Sequence, residues 1–317
     1  MEYFLHQSHS EFLFAKNNFV LDNSLSLFQK KTNVERKVKK IASFNPNIFI
    51  ITSSCNRLNN LSKLYQSISA QKFHGKVAWI IIDNGSDEKT TNQLDLWEAK
   101  EKWLICLSYK TPFGYATPAR NKGLLLVSWI LKFCSGTKFY WVIDSDDYIH
   151  NEYVLQELFV LANKSKSMMT HGYTVTNHMS RDGLIEFNST IPRNLSSSFP
   201  SVPNLRDEFD LGPQNLAAII DCESLYDFTY PDEFTMEDDT LNQKIMLWSL
   251  KKMKKIVSYE FPCLVKSFHE NSMSNKNNKI GDSSISVPLG PTIVKGIRAQ
   301  VVLGILMFRD YFTREKL

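Results

Sequence analysis

The sequence predicts an α/β protein built on a mostly parallel sheet flanked by helices. Three observations carry that prediction. Between residues 47 and 165 short apolar runs alternate with amphipathic segments. The runs are near-continuously apolar, as in strands covered on both faces. The segments between them repeat their apolar residues at helical spacing, which is the connection parallel strands need.

In chain order, "NIFIITSS" (47–54) is the first strand, and "LNNLSKLYQSISAQ" (58–71) the first helix of the alternation. "KVAWIIIDNGS" (76–86) is a strand running into a turn, and "EKTTNQLDLWEAKE" (88–101) a helix. "WLICLSY" (103–109) is a strand, "ARNKGLLLVSWILKF" (119–133) a helix, "KFYWVID" (138–144) a strand and 152–164 a helix. Beyond 165 the rhythm breaks. "MMTHGYTVT" (168–176) is strand-like and is followed by a loop rich in Ser, Pro and Asn to about 213. "NLAAIID" (215–221) and "KIVSYEFPCLVKSF" (255–268) read as strands, and "DDTLNQKIMLWSLKKMKK" (238–255) as a helix. In the tail, Val294, Ile297, Val301, Ile305 and Phe308 recur at helical spacing. Residues 1–46 are polar and poorly periodic and read as an N-terminal extension with a short helix or two.

The 317 residues suffice for one large domain or two fused layers. Hydrophobic content of 43% and charged content of 22% are ordinary for a globular chain, and a net charge of +4 does not argue for nucleic acid. Basic residues cluster in "QKKTNVERKVKK" (29–40) and "KKMKK" (251–255), a pattern that usually marks a solvated face. Cys55, Cys106, Cys134, Cys222 and Cys263 are scattered without a CxxC pair, which points to reduced thiols and a cytoplasmic setting. The start "MEYFLHQSHSEFLF" lacks the pattern of a signal peptide, and no apolar run approaches the ~18 residues of a membrane span.

The chemistry concentrates at the carboxyl ends of the predicted strands, where open parallel sheets bind ligands. Ser53, Ser54, Asn56 and Arg57 follow the first strand, Asp83 to Ser86 the second, and Asp144, Asp146 and Asp147 the fourth. A turn or helix cap needs one aspartate. Three in four residues repel one another unless a cation sits among them. There is no GxGxxG, P-loop, GxSxG or HExxH. An EF-hand beginning at Asp144 fails, because Ile149 stands at its glycine position and Leu155 at its last glutamate. What remains is a D-x-D pair of hard oxygen ligands suited to Mg²⁺ or Mn²⁺ with a phosphate-bearing partner.

Six stretches, "IFIITSSCNRLNNLSKLYQSISAQ", "IIIDNGSDE", "PARNKGL", "VIDSDD", "MEDDTLNQKI" and "SFHENSMS", resemble in order and spacing the family 2 glycosyltransferases of the GT-A fold, over about residues 45–275. The resemblance implies a nucleotide-sugar-binding half at 47–165, an acceptor-binding half at 166–275 and a helical tail at 276–317. Ser53 to Arg57 stand at the family's P-T-Y-N-R station, where only Asn56 and Arg57 match. Ser53, Asn56 and Arg57 are then donor-binding. Asp83 takes the position that bonds the base, typically the imide N–H of uracil, and Arg120 the position facing the diphosphate. Asp144 is implied to approach the ribose and Asp146 to ligate Mn²⁺ or Mg²⁺. Asp147 either helps through water or caps the next helix. Glu237 is implied to bind acceptor and Asp238 to be the base, with Asp239 its neighbour and competitor. His269, followed by Ser272 and Ser274, matches a histidine that joins the metal or the diphosphate.

The activity implied is metal-dependent and inverting. It transfers a hexosyl or N-acetylhexosaminyl group from a UDP-sugar to a saccharide or lipid-linked hydroxyl, as in bacterial surface polysaccharide or lipopolysaccharide synthesis. The basic clusters and the tail suit a peripheral site on the inner face of an anionic membrane, and the tail's apolar stripe suits packing on the domain as well. A nucleotidyltransferase, or a non-catalytic relative that binds nucleotide or saccharide, is the alternative.

Overall fold

The computed structural model describes residues 31–110, 112–113, 116–179, 185–190, 217–226, 245 and 252–268. The chain divides into two units, Met1–Ser267 and Phe268–Leu317. The first contains all the elements below, apart from the last residue of the final strand. They run α1 (Lys31–Phe44), β1 (Ile48–Ser54), α2 (Leu58–Ser69), β2 (Val77–Asn84), α3 (Glu88–Lys100) and β3 (Leu104–Tyr109). Then come α4 (Ala116–Leu131), β4 (Phe139–Val142), β5 (Tyr148–Ile149), α5 (Val154–Ser165), β6 (Met169–Met179) and β7 (Ile185–Thr190). The last are β8 (Ala218–Asp221), a 3-10 turn at Cys222–Tyr226 and β9 (Ile256–Phe268).

One sheet holds all the described strands in the order β3-β2-β1-β4-β8-β6-β9-β5, with β7 paired to β6. The first four are parallel, with Ile51 opposite Ile80 on one side and Val142 on the other. Every residue of β1 is buried, as a strand covered on both faces requires. One face carries Ile51, Ile80, Ile82, Tyr140 and Val142 against α1 and α4. The other carries Ile50, Trp79, Ile81 and Trp141 against α2, α3 and α5. Buried Trp79 keeps its indole N–H satisfied by donating to Thr52 Oγ1 at 3.0 Å.

The second half departs from the parallel pattern. β8 runs antiparallel to β4, β6 antiparallel to β8, and β7 antiparallel to β6. The loop expected through 213 therefore includes a strand, Ile185–Thr190. A second addition is β5, whose Tyr148 and Ile149 pair antiparallel with Val265 and Leu264 of β9.

α1 is built into the core rather than standing apart from it. Val34, Val38 and Ile41 are buried among residues of α4 and the sheet. Lys37, itself buried, donates to Glu98 Oε2 at 2.7 Å and to Cys106 O at 2.5 Å. Lys40 Nζ donates to the carbonyls of Glu98, Glu101 and Leu104 at 2.8–2.9 Å. In the other basic cluster, Lys254 bonds Asp221 and Glu223 at 2.9 and 2.5 Å. Part of each cluster is thus engaged within the protein. Among the described residues no helix is long and apolar enough to cross a membrane.

Candidate donor-binding site at the carboxyl rim

The parallel strands end at one rim, and their terminal residues meet there. Side-chain alternation divides them between the two faces. Ser53 follows Ile51 onto the α4 face, and Asp83 follows Ile81 onto the α2–α3 face. Asp144 also lies on the α4 side, where Arg120 Nη2 donates to its Oδ1 at 2.5 Å. Arg120 reaches the rim because α4 lies close on the sheet. A Cβ on Gly123, one turn further along, would come within 2.3 Å of Ile51 Cγ2. Glycine there permits the approach that aims Arg120 at Asp144.

The loops after β1 and β2 are cross-tied. Asn56 has a φ of 54°, a conformation asparagine tolerates better than most residues. Its backbone N–H donates to Ser86 Oγ at 2.8 Å, and its side-chain oxygen accepts from Asp87 N–H at 2.7 Å. Gly85 turns the second loop at a φ of 79°, with Pro112 packed so close that a Cβ would lie 2.8 Å from it. Asp83 is 1% exposed. Its carboxylate accepts from Ser86 N–H at 3.2 Å and from the Thr91 hydroxyl at 3.3 Å. Burial pushes its carboxyl up, opposed by the bonds from Ser86, Ser108 and Thr91. Ser54 keeps a buried hydroxyl oxygen with no bonding partner among the described residues.

The three aspartates occupy a tight turn, in which Asp147 N–H donates to Asp144 O at 3.1 Å. Each faces a different element. Asp144 takes Arg120 of α4, and Asp146 takes Arg57 of the loop into α2 in a direct ion pair. Asp147 Oδ1 accepts from Ser267 N–H of β9 at 3.1 Å. Its Oδ2 is buried with no hydrogen-bond partner among the described residues. For Asp144, burial acts to raise the carboxyl, but Arg120, Lys266 and Arg57 outweigh it and hold it below the usual range. For Asp147, burial first and then repulsion from Asp144 and Asp146 push the carboxyl well above that range, with Lys266 and the Ser267 amide opposing.

Lys266 and the Ser267 amide are contributions that sequence reading missed. β9 lies between β6 and β5 in the sheet, and this long-range pairing brings them to the rim; no local signal announces the two-residue β5. Glu237, Asp238, Asp239 and His269 lie outside the described residues.

The raised Asp147 carboxyl has a measurable consequence. It binds its proton more tightly folded than unfolded, so it favours the fold at acid pH. That contribution is lost as pH climbs through its folded value. Asn cannot ionise. Asp147→Asn is expected to raise the melting temperature of the ligand-free protein near neutral pH by roughly 2–4 °C, on the order of 1 kcal/mol, and by less near pH 4. Melting curves across that range check it; a gain independent of pH would contradict it.

The residues also bear on a cation. Among the described residues, no group of three or more His, Cys, Asp or Glu side chains could hold a metal ion. Asp144 and Asp146 nevertheless offer hard oxygens, and Asp147 Oδ2 is a buried oxygen lacking a donor among the described residues. That donor set fits Mg²⁺ or Mn²⁺ held jointly with phosphate oxygens, not a cage of protein ligands alone.

Comparison with known proteins agrees with this architecture. Residues 49–226 match the family model described as Glycosyl transferase family 2. No curated protein matches the chain. The crystal structure of S. aureus TarS 1-349 is 19% identical over 70% of this chain and 60% of its own, with a TM-score of 0.51. The same protein in complex with UDP gives 18% identity, 71% and 61% coverage and a TM-score of 0.53. Its complex with UDP-GlcNAc gives 18%, 71% and 60%, and 0.51. At such identity the likeness shows the fold. The chain spans about 60% of the length of TarS 1-349.

Proposed function

The chain belongs to glycosyl transferase family 2 and has the GT-A arrangement, and from that premise we propose that it is a nucleotide-sugar-dependent glycosyltransferase using a UDP-linked donor. The observation that carries this reading is the meeting of Asp144, Asp146 and Asp147 with Arg57 and Arg120 at the carboxyl rim. TarS, which shares the fold, is known in complexes with UDP and UDP-GlcNAc, which supports a uridine donor.

In this reading Asp83 and the cross-tied loops after β1 and β2 hold the base. Asp144 orients the ribose, and Arg120 faces the diphosphate with a charge-assisted contact. Asp146 would hold Mn²⁺ or Mg²⁺, and His269 stays a candidate for the metal or the diphosphate by the family resemblance alone. Once bound, such an ion supplies Lewis-acid stabilisation of the departing nucleoside diphosphate. Glu237 positions the acceptor. Asp238 removes the proton of its hydroxyl, which attacks the anomeric carbon in a single inverting displacement. Most of the rate then comes from positioning, with one base adding to it. The acceptor class is a saccharide or a lipid-linked hydroxyl, as in surface polysaccharide synthesis. A peripheral membrane contact would fall to the basic residues of the two clusters other than Lys37, Lys40 and Lys254, which are engaged internally.

The test is a donor screen. Purified protein is incubated with Mn²⁺, a panel of labelled UDP-sugars and a mixed saccharide acceptor pool, and UDP release is scored. Sugar-selective release that stops on chelation is expected. In a parallel incubation with UTP, a sugar 1-phosphate and Mn²⁺, release of pyrophosphate in the absence of UDP release from the UDP-sugars would favour a nucleotidyltransferase. UDP binding without turnover would favour a binding protein.

A further inference from the structure

We propose that Arg57 is the resident counter-cation of Asp146 and excludes a divalent ion from it until a donor diphosphate draws the guanidinium away. The inference rests on the reading of the site given above and specifies how metal and donor enter it.

Among the described residues, two carboxylates of the rim already hold a cation without a ligand: Asp146 is paired with Arg57 and Asp144 with Arg120, and Lys266 acts on Asp144 as well. A divalent cation arriving alone would overload this cluster with positive charge, and a diphosphate alone with negative charge. Arriving together, they nearly cancel.

The two arginines are not equivalent. Arg120 is 5% exposed and projects from a helix that Gly123 seats close on the sheet. It has little room to leave Asp144. Arg57 is 29% exposed and precedes α2, following the left-handed Asn56. Its greater exposure leaves it more room than Arg120 to turn from Asp146 toward a ligand. Its planar fork then suits a phosphate as well as it suits a carboxylate. One exchange therefore serves both partners: Asp146 passes from guanidinium to metal, and the guanidinium passes to phosphate.

The test uses Mn²⁺ alone and Mn²⁺ with UDP as probes. Free Mn²⁺ is followed by electron paramagnetic resonance and UDP uptake by calorimetry, on wild type, Arg57→Gln, Arg57→Lys and Asp146→Asn. Arg57→Gln is expected to bind Mn²⁺ without nucleotide about tenfold tighter than wild type, because a neighbouring positive charge is gone. It should bind UDP with Mn²⁺ more weakly than wild type. Arg57→Lys keeps the charge and should bind Mn²⁺ alone as poorly as wild type. Asp146→Asn should lose Mn²⁺ with or without UDP. If wild type takes up Mn²⁺ with UDP but Arg57→Gln gains nothing for Mn²⁺ alone, the exchange is overturned while the site reading stands. If wild type takes up no Mn²⁺ even with UDP, the metal reading fails and the exchange with it.

Discussion

Replacing Asp146 with alanine is expected to abolish Mn²⁺-dependent UDP binding while leaving the fold intact. Asp146 stands on the turn after β4, is partly exposed at 16%, and belongs to neither apolar cluster. Its removal therefore costs no core packing. It does remove the carboxylate that, in the proposed reading, bridges protein and metal. Calorimetry should show at least a ~100-fold loss of affinity for UDP with Mn²⁺, which corresponds to roughly 2.7 kcal/mol. Binding of UDP without metal should change little or improve, because Arg57 is then released to the phosphates. Melting of the ligand-free variant should stay within a few degrees of wild type. Unchanged affinity for the Mn²⁺–UDP pair would remove Asp146 from the metal site.

The parallel half was legible because burial on both faces writes itself into composition. A stretch such as "WIIID" has few other uses than a central strand, and the polar residues directly after each such stretch fall on one rim by topology alone. α1 was obscured for the opposite reason. Its apolar stripe of Val34, Val38 and Ile41 is narrow and set among lysines, and two of those lysines do interior work that composition assigns to solvent. β5 is too short to show alternation, so the tie from Asp147 to Ser267 had no sequence signature. Within the site, the residue types were readable but their partners were not. Arg57 was expected to meet a donor, and in the ligand-free protein it meets Asp146. Asn56 reads as donor-binding as well, and in the ligand-free protein its side-chain oxygen receives the Asp87 amide. Both pairings join loops far apart in the chain, and only the closed topology fixes them.

Asp238→Asn is the substitution with the largest expected effect on turnover. Asn matches Asp in size and keeps most of its hydrogen bonding, but it cannot take up the proton of an acceptor hydroxyl. If Asp238 is the base, the rate should fall by a factor on the order of 10²–10⁴ with donor affinity barely moved, because the lost interaction acts in the transition state and not on bound UDP-sugar. Asp239→Asn should cost far less, since in this assignment its carboxylate handles no proton in the reaction. Steady-state rates on the best donor of the screen, with UDP affinity measured in parallel, separate the two. A sensitive Asp239 beside a tolerant Asp238 would mean that the register through "MEDDT" is shifted by one residue. Tolerance at both would place the base outside this segment and end the match of "MEDDTLNQKI" to the family's acidic station. A drop in both rate and UDP affinity would point to a misplaced donor, and would assign the segment to positioning instead of proton transfer.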